Sequence, residues 1–182
     1  MTTCDAPADK ARLWTAAKTA GLRLRPATDG DRAFLFELYA STREQELTAT
    51  GWPDAAKQAF LEQQFAAQDE HYRRHYAGSD FLVVEFGSVP VGRLYLARWA
   101  HEHRIVDIAL GPEWRAKGLG EAILRDVIGE AQAAGRSVSI HIERMNRALS
   151  LYARLGFRLV EDKGVYLLLE TGTPGRCAAD FR

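Results

Sequence analysis

The sequence predicts a single α/β domain, one sheet with helices on both faces. Three observations carry that expectation. Extended apolar runs and helical periodicities follow one another in the order β-α-α-β-β-β-α-β-α-β-β. The 182 residues suffice for one real core, and 47% hydrophobic with 26% charged residues is globular rather than disordered composition. No internal repeat and no interdomain linker interrupts the chain, so one domain is expected over residues 1–182.

Each element has its own justification. Residues 1–20 are Ala-rich and mixed in charge, which suits a loose helix or an arm. "LRLRPA" alternates apolar and charged residues and reads as an edge strand ended by Pro26. A helix follows, capped by Thr28 or Asp29, with Phe34, Leu35, Leu38 and Tyr39 on one face. After Gly51-Trp52-Pro53, Ala56, Phe60, Leu61, Phe65 and Tyr72 recur at helical spacing in a long second helix that Asp54 can cap. "DFLVVEF" and "VPVGRLYLARW" flank Gly87-Ser88 as a hairpin, and "HRIVDIAL" is a third extended run. Leu119, Ile123, Val127 and Ala131 line one face of a helix over 118–134, which Gly135 ends. Then come the strand "SVSIHIE", the short helix "NRALSLYARLG" closed by Gly156, and a strand pair around Lys163-Gly164. The tail "TGTPGRCAADFR" reads as loose.

Composition excludes several classes. Formal net charge is zero and no helix is basic, so nucleic acid is not an expected partner. No stretch approaches the roughly 18 apolar residues of a membrane span, and the N-terminus lacks the apolar centre of a signal peptide. Cys4 and Cys177 have no Cys or His at metal-ligand spacing, so no metal and no disulfide framework is expected. Reduced thiols in a cytoplasmic protein are the default expectation.

The chemistry concentrates in "GPEWRAKGLGEAIL", Gly111 to Leu124. Gly118 and Gly120 stand where a strand turns into a helix, whose first N–H groups have no internal partner. Missing side chains let an anion approach those donors, and the helix dipole favours it. Arg115 and Lys117 add positive charge at the same mouth. A Walker loop fails because Glu121-Ala122 follows Gly120, and a dinucleotide fingerprint fails at Ile123. The pattern R-x-x-G-x-G is satisfied from Arg115 to Gly120; the plainer alternative is a connection with solvated charges.

This segment resembles the coenzyme A pyrophosphate loop of the GNAT superfamily of N-acetyltransferases. "NRALSLYARLGF" is similar to a second segment of that family, with Asn146, Tyr152, Gly156 and Phe157 in register. The resemblance covers a core of about residues 22–170, leaving an arm (1–20) and a tail (171–182). It implies a mixed, mostly antiparallel, twisted sheet of about six to seven strands. It also implies an acetyl-CoA-dependent transferase acting on a primary amine by direct attack in a ternary complex. The alternative on the same fold is a non-catalytic acyl-CoA-binding or sensing module.

The resemblance further assigns residues. Backbone groups around Ile108, Ala109 and Leu110 would hold the pantetheine arm, in the gap beside a bulged fourth strand. Arg115, Ala116, Lys117, Gly118, Leu119 and Gly120 would hold the diphosphate, and Asn146 a further part of the arm. Tyr152 falls at the general-acid position, where a phenol protonates the leaving thiolate; by itself it also reads as a packed aromatic. The base is open. Arg104 stands where some members carry Glu, so Asp107 or Glu143 is the leading candidate, with Glu85, His101 and His103 behind them. A base is dispensable if the amine has a low pKa or water relays the proton. In "STREQELTATGWP", Glu44 and Glu46 can attract a cationic acceptor and Trp52 can close over it; the plainer reading of Glu46 is a solvated helix end. Small amines, amino acids, aminoglycoside-like drugs and protein N-termini or lysines all fit as acceptors. A homodimer is possible by analogy with the family.

Overall fold

Val83 and Val84 are adjacent and both wholly buried, so β2 (Asp80–Phe86) is covered on both faces. That sandwiching holds for the middle of the sheet, while its last strand in space, Phe157–Asp162, is exposed beyond Phe157. The computed structural model describes residues 14–172, and expectations for the start of the arm and for the tail beyond 172 lie outside these residues. The sheet has seven strands in the order β1-β2-β3-β4-β5-β7-β6. The remaining strands are β1 (Leu22–Pro26), β3 (Val89–Arg98), β4 (Glu102–Leu110), β5 (Ser137–Glu143), β6 (Phe157–Asp162) and β7 (Tyr166–Thr171). Among the described strands, only the β4–β5 pair is parallel. A parallel pair needs a long crossover. Here it is α4 (Leu119–Ala133).

One face carries α4, the short α1 (Thr15–Thr19) and α5 (Leu149–Arg154) over Leu94, Leu96, Ile105, Ile140 and Ile142. The other carries α2 (Arg32–Thr48) and α3 (Asp54–His75), with Leu35, Tyr39, Leu61 and Phe65 packed on Val83.

Local structure follows expectation with two refinements. Thr28 and Asp31 form a reciprocal capping box around a 3-10 turn, so α2 begins at Arg32. Asp54 is the first residue of α3, and Pro53 takes the cap position.

The end of the expected arm belongs to the core. Ala17 is 1% exposed, and the buried Asp126 of α4 accepts hydrogen bonds from the backbone N–H groups of Thr15, Ala16 and Ala17 at 3.1, 2.9 and 2.7 Å. One carboxylate thus satisfies the open start of α1, a cap supplied from another helix.

Candidate active site

The decisive local event lies in β4. Against β3, Leu96 pairs with Ile105 but Tyr95 pairs with Asp107, so Val106 is an extra, bulged residue. A bulge inverts the alternation beyond it. Ile105 faces the α4 core, and Asp107 points to the opposite face, toward α3. Beyond the bulge β4 also loses its other neighbour. Its pairing with β5 runs from Glu102–Ser137 to Ile105–Ile140 and stops. The two strands therefore fork, leaving residues 106–110 without a β5 partner. Helix α2 bridges the fork on the α3 side, through Arg43 to Glu143 at 3.4 Å. Gln45 accepts a further bond from Arg147, at 3.2 Å.

At the C-terminal end of β4 the chain makes a 3-10 turn, Pro112–Trp114, and reaches α4 through Arg115–Gly118. Among the described residues, the N–H groups of 116–121 find no acceptor in the protein. Ala116 has φ 57°, the one non-glycine residue with positive φ among those described. Holding an alanine there costs roughly 1–2 kcal/mol. Gly118 follows at φ 78°, where a side chain is disfavoured. Gly120 is different. A Cβ there would meet only Leu110 Cδ1, at an ordinary 3.7 Å, so packing does not demand its glycine. The loop is a concave run of free amides, strained into place and kept clear of side chains, which is the form of an anion cradle.

Tyr152 reaches the fork from the α4 face. It is 4% exposed and packs edge-on against Phe157 at 5.3 Å. Burial above all, then the negative charge of Asp107, holds its hydroxyl above the ordinary phenol range. Asp107 stands on the other face, and the gap brings the two groups within electrostatic reach. Asp107 Oδ2 accepts from Arg93 at 2.7 Å and from Tyr72 at 3.1 Å, while Oδ1 has no hydrogen-bond partner among the described residues. Arg93 is 3% exposed, donates also to Gln68 at 3.0 Å and lies over the Tyr95 ring.

Comparison with known proteins agrees with this geometry. The family model described as the acetyltransferase (GNAT) domain matches residues 77–159, the segment holding the bulge, the fork, the amide loop and Tyr152. Over that segment the chain is similar to the GNAT acetyltransferase domain. Solved structures share its fold. The PaiA N-acetyltransferase of Thermoplasma acidophilum, in complex with coenzyme A, is 16% identical, with TM-score 0.63 over 82% of this chain and 98% of that one. YncA of Salmonella typhimurium, a putative acetyltransferase with acetyl-CoA, is 22% identical, with TM-score 0.54 over 89% and 99%. Arabidopsis thaliana Naa50, in complex with a bisubstrate analogue joining CoA to an acetylated peptide, is 14% identical, with TM-score 0.56 over 84% and 99%. No curated protein sequence matches.

Within this fold the expected site residues separate. Ile108, Ala109 and Leu110 form the free wall of β4, and Ala116 to Gly120 form the amide loop. Arg115 is tied back, donating to the Leu110 carbonyl at 2.8 Å and to Ser41 at 3.1 Å. It braces the loop, and Lys117 rests over the Trp114 ring at 5.1 Å. Asn146 makes an Asx-type turn just before α5, its side-chain oxygen accepting from Ala148 N–H at 2.8 Å, with its amide nitrogen without a partner among the described residues.

Among the base candidates, only Asp107 and Glu143 stand on the fork. Glu85 is held by Arg25 at 2.6 Å. His103 is buried on the α4 face, 3.3 Å from Glu130, and His101 lines a cavity of about 680 Å³ near the N-terminal end of β4. Glu44 lines a cavity of about 330 Å³ between α2 and α3. Trp52 packs edge-on against Phe60, and Glu46 joins Arg43 at 3.2 Å. Sequence reading passes over Arg93 and His141, and it places Tyr72 on the second helix without linking it to Asp107. The only signal for Arg93 was an arginine inside an apolar strand run, "VGRLYLA".

Proposed function

We propose that the chain transfers an acetyl group from acetyl-CoA directly to a primary amine in a ternary complex. The observation that carries this reading is the fork itself: a cradle of free amides at one end, with Tyr152 and Asp107 converging on the gap from opposite faces. The loop 116–121 fits a diphosphate, and the unpaired wall of β4 fits an amide-bearing arm laid beside it as a strand. Backbone N–H groups on that wall would steady the thioester carbonyl oxygen as it gains charge.

The amine nitrogen bonds to the acetyl carbon, and the carbon–sulfur bond breaks. The departing thiolate takes the Tyr152 proton; the proton lost by nitrogen passes to Asp107 Oδ1 or through water. Glu143, which Arg43 meets at 3.4 Å, is the other base candidate. The acceptor enters from the α3 side, beneath α2. A peptide amine is compatible, as in the Naa50 complex.

The test is thiol release from acetyl-CoA over a panel of amines. Tyr152→Phe should lower kcat on the order of 100-fold while acetyl-CoA affinity holds. Equal turnover in that variant removes the acid role. Coenzyme binding with no turnover on any amine moves the chain to the sensing reading.

A further inference from the structure

β5 supplies the second wall of the fork, and that wall carries a fixed hydrogen-bond donor. Ser139 pairs with Arg104, and Ile140 with Ile105 in the last β4–β5 pair. His141 is the next residue, the first beyond the branching point. Alternation puts it on the face of Ser139, which is also the face reached by Asp107 across the gap. Its imidazole is not free to turn. Arg104 donates from Nε to Ser139 Oγ at 2.7 Å, from one terminal nitrogen to His141 Nδ1 at 2.7 Å, and from the other to Glu102 at 3.0 Å. The guanidinium also lies over Trp99. An arginine has only donors, so Nδ1 must accept and the ring proton resides on Nε2. His141 is an exposed residue, and partial desolvation first, then the Arg104 charge, lowers its pKa. Two residues on, Glu143 is held by Arg43 of α2, so His141 lies between two anchored side chains along one wall.

We propose that His141 is a specificity-determining residue whose Nε2–H donates to a carbonyl oxygen next to the reactive amine, selecting amino-acid amides and peptide N-termini over plain alkylamines. Asp107 on the opposite wall takes the nitrogen, so the acceptor is held at two points. This rests on the transferase reading of the same fork. It also explains Arg104: at a position where a carboxylate is the more familiar expectation, the cation sets a tautomer.

The test compares L-alaninamide with sec-butylamine, which have similar shape around the amine but differ in the carbonyl. With coenzyme A bound to the full chain, alaninamide should shift the His141 Nε2 resonance in ¹⁵N NMR saturably, and sec-butylamine should not. The resonance is assigned by its loss in His141→Gln. In turnover, the ratio of kcat/KM for alaninamide to that for sec-butylamine should fall about tenfold in His141→Ala, the loss of one hydrogen bond. His141→Gln, which keeps an N–H donor, should recover most of it. Comparing ratios cancels the different basicities of the amines. An unchanged ratio in His141→Ala, or a His141 resonance blind to alaninamide, overturns the proposal. A chain that acetylates neither amine overturns the transferase reading, and the NMR response then decides the donor assignment separately.

Discussion

Gly120 separates what folding needs from what binding needs. Its backbone is helical, and a Cβ would make only ordinary contact with Leu110. Gly120→Ala should therefore raise stability by up to about 1 kcal/mol, the helix-propensity difference. The same methyl group intrudes on the amide cradle, so acetyl-CoA affinity should fall. Thermal unfolding and calorimetry would move in opposite directions; a parallel loss of both would mean that the glycine serves packing. Arg93 is the opposite case. Arg93→Met strands the Asp107 carboxylate in a mostly buried setting, and breaking such a pair costs about 3–5 kcal/mol. Denaturant unfolding would measure it. The glycines and Tyr152 were legible because each sits at fixed spacing within a short motif. The cluster that Arg93 and Tyr72 form on Asp107, with Gln68 accepting from Arg93, was not, because β3, α3 and β4 bring it together from separate parts of the chain.

At the level of elements, the closeness of β3 and β4 is set by Gly92. A Cβ there would lie 2.5 Å from the Ala109 carbonyl oxygen and 2.6 Å from Leu110 Cδ2. Gly92→Ala must push β4 outward just where it lines the fork, so a loss of more than about 1 kcal/mol is expected, with weaker acetyl-CoA binding. Unfolding and binding measured on the same variant check it; no change in either would show that the strand yields freely. The Val106 bulge belongs to this scale too. The family resemblance implies a bulge in the fourth strand, but the run "RIVDIAL" does not say at which residue. The pairing with β3 puts the extra residue at Val106, and it turns Asp107 from the α4 core toward α3.

Across the whole molecule, buried carboxylates tie the elements together and set the acid stability. Burial opposes ionisation of Glu130, but contacts from His103, Arg98 and Trp14 outweigh it and lower its pKa from 4.5 to about 2. A folded pKa below the unfolded value stabilises the protein above pH 4.5, and that stability is lost as pH falls toward 2. Glu130→Gln should thus cost on the order of 3 kcal/mol at neutral pH, with the difference from wild type shrinking between pH 5 and 2. Denaturant titrations across that range check it; a constant difference would assign Glu130 a packing role instead. Among the described residues no helix is long and apolar enough to cross a membrane. By itself the sequence determined the order of elements, the two-faced covering of the sheet and the amide loop, because periodicity and glycine placement act over neighbouring residues. The tertiary structure alone decided that β7 inserts between β5 and β6, that the bulge falls at Val106, and that His141 comes to the same fork as Asp107. Those outcomes depend on strand register and on contacts between residues far apart in the chain, which no local pattern encodes.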